Sequence, residues 1–92
     1  MNNIMMYRLV TGEFVVSETE ETAEAYEMTN PIVLIPSQQG IGMSPLLAYS
    51  NSDSVMIKKE HILFETTPSA DIESEYRRIF SGLIVPSNTL VN

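Results

Sequence analysis

Apolar residues fall in short runs along this chain, each closed by glycine, proline or a polar turn, and their period lengthens only near the C-terminus. Residues 4–10, IMMYRLV, are apolar on both alternating sets apart from Arg8. That is the pattern of a strand covered on both faces, or with one face in a core and one in an interface. Thr11-Gly12 follows as a tight turn, where glycine supplies the positive φ of a two-residue hairpin loop. Residues 13–19 return as a second strand. Its inward face is ambiguous, because Phe14, Val15 and Val16 are all apolar. Residues 18–24 hold four acids among threonines and read as the strand's end and a solvated loop.

Residues 26–35, YEMTNPIVLI, form a third strand, with Tyr26 and Met28 on one face by period two. Pro31 cannot donate to a ladder and marks a bulge or an edge. PSQQGIG, 36–42, reads as a loop, and 43–50 as a fourth strand interrupted by Pro45. SNSD, 50–53, is turn chemistry. Two short apolar pieces, 55–57 and 62–65, flank KKEH, which suits a turn or one turn of 3₁₀ helix.

Then the period changes. Ile72, Tyr76, Ile79 and Phe80 recur at i, i+4, i+7 and i+8, one face of a helix over about 69–81. Thr67 or Ser69 can cap its start, with Pro68 in the first turn. Acids lie early and Arg77-Arg78 late, as the helix dipole favours, and Arg77 is spaced to pair with Glu73. Gly82 suits a C-terminal stop. Five or six short strands before one helix predict a mainly β fold: a small, strongly bent five-stranded antiparallel SH3-like barrel. The helix would plug one open end or cover one face. A single domain over 1–82 and an apolar tail over 83–92 complete the expected organisation; Leu83, Ile84 and Val85 are expected to pack on something.

Composition narrows the chemistry. A 92-residue chain supports one modest core, so association of subunits would help its stability. Without cysteine there is no disulfide framework, thiolate nucleophile or Cys-ligated zinc. No apolar run is long enough to span a membrane, and MNNIMMYRLV lacks the basic region and cleavage site of a signal peptide. A cytoplasmic location is the expectation. The net charge of -7 repels nucleic acid at long range. Lys58-Lys59 and Arg77-Arg78 are the two places where a basic patch can start.

No catalytic constellation stands out. His61 is the lone histidine, and a single His in a turn is more often solvated than catalytic. GIGMSP, 40–45, has neither the nucleophile-elbow order nor the lysine and following helix of a phosphate loop. The acids Glu18, Glu20, Glu21 and Glu24 lack a glycine-pinned ligand loop and read as a hydrated segment. We therefore expect no enzyme, cofactor or metal.

The opening hairpin resembles the first signature of the Sm-like proteins, which include the bacterial host-factor RNA chaperones. Leu9, Gly12, Val15 and Ser17 stand at its apolar, turn, apolar and small positions. VMIKKEHILF, 55–64, is similar to the second signature: Ile57 and Ile62 match, and Lys58 stands at the Arg position. Ser17 and Lys59 each stand where Gly is usual, and the Asp and Asn of the second loop are absent. The order Gly12, Asn30-Pro31, Pro45, Thr66 to Pro68 and Tyr76 looks most like short Sm-like proteins of tailed phages, so the cytoplasm would be that of the host cell. The resemblance implies a closed homomeric ring, in which Val55, Met56, Ile57, Leu63 and Phe64 are partly interfacial or else ordinary core. It also implies single-stranded RNA as a partner, with Tyr26, Met28, Lys58, Lys59 and His61 as candidate contacts, or a protein partner on the ring face. The alternative is a structural assembly module with no nucleic-acid role.

Overall fold

Alternating side chains and turn residues set the strands, and a computed structural model describes residues 3–81. The chain forms β1 (Asn3–Leu9), β2 (Phe14–Glu21), β3 (Ala25–Ser37), β4 (Gly40–Pro45), β5 (Ser54–Lys58), a 3₁₀ turn (Lys59–His61), β6 (Ile62–Thr66) and α1 (Ala70–Ser81). The fold is mainly β: one antiparallel sheet of six strands with one C-terminal helix. The sheet does not close, since β5 pairs with β3 and β6 with β1 but not with each other. No described helix is long and apolar enough to cross a membrane.

Strand β3 accommodates two partners, β4 and β5, in the same sheet. This strand is 13 residues long and carries an extra residue opposite Ser17, where the register passes from Val16↔Ile32 to Glu18↔Thr29. Asn30 takes φ 54° there, beside the Pro31 that the sequence marked for a bulge or an edge. The bulge divides one edge of β3 into two segments. Residues 25–29 pair with β5, and residues 32–37 pair with β4. The expected loop at 36–42 is instead a tight hairpin. Gly40 at φ 124° turns the chain, and Ser37 Oγ accepts from Gln39 N–H and donates to Gly40 O. The expected fourth strand over 43–50 stops at Pro45, where a turn begins with Leu46 N–H donating to Pro31 O. Strand β2 also outruns its prediction, reaching Glu21, because Glu20 and Glu21 pair with Glu27 and Tyr26.

Two apolar layers result. On one face Tyr7, Leu9, Val15, Tyr26 and Met28 form a buried cluster that Val55, Ile57 and Ile62 join. Those residues come from both ends of the sheet, so the sheet curls toward itself on this side. On the other face Ile4, Val16 and Ile32 pack under Tyr76, with Ile72 and Phe80 beside it. Covering both faces explains the ambiguous parity of the second strand. Val15 turns into the curl and Val16 turns under the helix.

The helix starts as its sequence predicts. Ser69 Oγ accepts from Ile72 N–H, an N-cap bond, while Pro68 is buried just outside the helix rather than in its first turn. Arg77 pairs with Glu73 at 2.9 Å. Tyr76 fastens the helix to the bulge. Its hydroxyl accepts from Glu18 N–H at 3.0 Å and donates toward Thr29 O and Asn30 O, at 2.9 and 3.0 Å. The predicted stop at Gly82 and the tail over 83–92 lie outside the described residues.

Candidate functional site

The five residues 57–61 gather the candidate chemistry at one end of the curl. Ile57 and Ile62 are drawn into the apolar cluster, so the turn between them must project its polar side chains. The 3₁₀ turn is tied on both sides: Lys59 N–H donates to Glu24 O, and Val10 N–H donates to His61 O, each at 2.9 Å.

Lys59 folds back over the sheet. Its Nζ lies 2.5 Å from Glu21 Oε2 and 5.3 Å from the centroid of the Tyr26 ring. The Glu21 carboxylate holds the Lys59 ammonium above its usual range. Beneath it the Tyr26 ring packs on Tyr7 with centroids 4.9 Å apart. Tyr7 donates to Glu65 Oε2 at 2.9 Å, and the Tyr26 hydroxyl lies 3.5 Å from Glu65 Oε1. Both phenols are pushed up, chiefly by burial and further by the Glu65 carboxylate.

Lys58 and His61 are exposed. With Leu9, Val10, Met56 and Ile57 they line a cleft of about 420 Å³. His61 lies 3.9 Å from Glu60, and Lys58 makes no ion pair among the described residues.

The five candidate RNA contacts therefore separate. Lys58, Lys59 and His61 share one turn. Tyr26 lies below Lys59 and is 8% exposed, and Met28 is 0% exposed within the apolar cluster. In this conformation Met28 offers no surface to a ligand. The five candidate interface residues divide as well. Val55 and Ile57 pack on the cluster, whereas Met56, Leu63 and Phe64 remain 54%, 59% and 44% exposed. Strand β6 carries a register shift at Leu63, between Arg8↔Phe64 and Leu9↔Ile62, so two successive large apolar side chains are open on this edge. Phe64 sits 6.3 Å from the Phe14 ring, over which the Arg8 guanidinium lies at 4.8 Å.

Sequence reasoning missed Tyr7, Glu21 and Glu65 as parts of this arrangement. Tyr7 and Glu65 are 58 residues apart, and no local spacing links them. Among the described residues no three His, Asp or Glu side chains converge to hold a metal. No protein-family model matches this chain, and a search of curated proteins finds no match to it.

Proposed function

We propose that this chain is a non-enzymatic binding protein of the Sm-like type: a bent, barrel-like subunit that self-assembles into a closed ring. One observation carries the reading. The curled sheet leaves an unpaired edge on each of β4, β5 and β6, and of these β5 presents exposed Met56 while β6 presents exposed Leu63 and Phe64. Unpaired amides and carbonyls on an edge are satisfied by strand addition. Joining β5 of one copy to β6 of the next is a head-to-tail contact, which closes into a ring when the rotation per subunit divides a full turn. Its role is then assembly through that ring and capture of a partner on a ring face. Sedimentation velocity or multi-angle light scattering tests this. The expected result is a discrete multiple of the 10.3 kDa chain mass; a monomer across the micromolar range would refute it.

A second reading is favoured by the exposed Lys58 beside the apolar cleft. Repeated around a ring, that cation and His61 make a basic, base-accepting circle for single-stranded RNA. Titration with polyuridine and polyadenosine at two salt concentrations separates the readings. Binding that weakens with salt and is lost in Lys58→Ala with Lys59→Ala supports RNA. The absence of such binding leaves the assembly role alone.

A further inference from the structure

Arg8 and Lys58 are the two cations that make no ion pair among the described residues. In the sheet, β2 and β3 separate the strands that carry them. The Arg8 guanidinium lies over the Phe14 ring, and its Nε is buried with no hydrogen-bond partner. The pairing sets Phe14, Arg8 and Phe64 side by side across β2, β1 and β6. They share the sheet face that carries α1, because Phe14 stands two residues from Val16, which packs under Tyr76.

Near the other end of the sheet, Val55 and Ile57 turn into the curl. Met56 and Lys58 therefore lie on the same α1-bearing face as Phe64. The cleft beside Lys58 has no phenylalanine or tyrosine on its lining. One copy thus holds an open cation without an exposed ring at β5, and an exposed ring beside a stacked cation at β6.

Joining β5 to β6 of the next copy continues the sheet and preserves its faces. The row across the seam then runs from Lys58 and Met56 of one copy to Phe64, Arg8 and Phe14 of the partner subunit. Neighbouring strands are about 4.8 Å apart, so the partner's Phe64 borders the cleft and the partner's Arg8 follows one strand further on. Glu27 and Glu20 lie on the same face behind Met56 and bound the strip on that side.

We propose that each seam is a composite site for single-stranded RNA, with phosphates on Lys58 and the partner's Arg8 and a base stacked on the partner's Phe64. Cation, ring and cation in sequence match the alternation of phosphate and base along a single strand. The proposal rests on the ring reading. It explains how a chain of net charge -7 gathers a basic, aromatic strip that no single copy contains.

Light scattering first establishes the rings; a monomeric chain would refute the ring reading itself. On rings that form, Arg8→Gln and Lys58→Ala should each weaken polyuridine binding about tenfold and lower its salt dependence. Arg8→Lys, which keeps the charge, should retain most of the affinity. Rings co-refolded from Arg8→Gln and Lys58→Ala chains locate the site. Where β5 of an Arg8→Gln chain meets β6 of a Lys58→Ala chain, the seam holds both cations, and tight binding returns at that fraction of seams. A site built within one copy gains nothing from mixing. Mixed rings that bind no better than either parent, or an affinity unchanged by Arg8→Gln, would overturn the composite site while leaving the ring intact.

Discussion

At the scale of single residues, two tyrosines do the most to join distant parts of the chain. Tyr76 is fully buried, and its hydroxyl serves backbone groups that the bulge at Asn30 removes from the ladder. Tyr76→Phe keeps the ring and leaves Glu18 N–H without this acceptor. The expected loss is about 1–3 kcal/mol, read by denaturant unfolding with an unchanged slope. Tyr7, Tyr26 and Tyr76 all have phenols raised above the ordinary value, with burial the first cause. The sign follows from linkage: the unfolded chain releases these protons near pH 10 while the folded chain retains them. Their contribution is complete below about pH 10 and is lost as pH rises through the higher folded values. An ultraviolet phenolate titration should therefore show these three ionising together with loss of the far-ultraviolet β signal. Ionisation of all three in the intact fold would contradict the burial.

At the scale of elements, the clearest local device is the β1–β2 hairpin. Gly12 has φ 107°, a region that L side chains avoid, although a Cβ there would meet no atom within 4 Å. Gly12→Ala should cost about 1–2 kcal/mol through backbone strain alone, measurable as a lowered thermal midpoint. Steric crowding plays no part, so Gly12→Asn, which tolerates positive φ better, should recover part of the loss. This hairpin, although its connection spans residues 10–13 rather than the two expected, the Ser69 cap and the α1 face were legible in the sequence because each depends on residues a few positions apart. The split of β3 was not. Pro31 signalled an irregularity, but an extra residue in β3 has meaning only against the β2 strand that it faces. The β3–β4 hairpin was missed for a similar reason: its glycines read as loop until Ile35, Pro36 and Ser37 find Gly42, Ile41 and Gly40 across the ladder.

At the scale of the whole molecule, exposed edges and net charge act against each other. Lysine on an edge strand blocks strand addition by burying a charge in the new contact. Met56→Lys with Leu63→Lys should abolish the proposed self-association in light scattering. Under dilution to monomer the variant should unfold within about 0.5 kcal/mol of the parent, as substitutions at open surface sites do. The net charge of -7 per chain makes copies repel, and salt screens that repulsion. Added salt should strengthen the proposed assembly while weakening any RNA binding through Lys58, and these opposite slopes distinguish the two proposed activities in one series of titrations.

By itself the sequence determined the short strands, the Gly12 turn, the capped C-terminal helix with its apolar face, and the acidic charge. These follow from local spacing, since backbone geometry converts a period of two or of 3.6 into a face without reference to the rest of the chain. Tertiary structure alone decided which of Val15 and Val16 turns into the curl. It also decided that Met28 is core, that Lys59 is occupied by Glu21 and Tyr26 while Lys58 stays open, and that Tyr7 meets Glu65. Each of these depends on what covers a residue from a distant segment, and burial and pairing are properties of the assembled contacts rather than of any one stretch of chain.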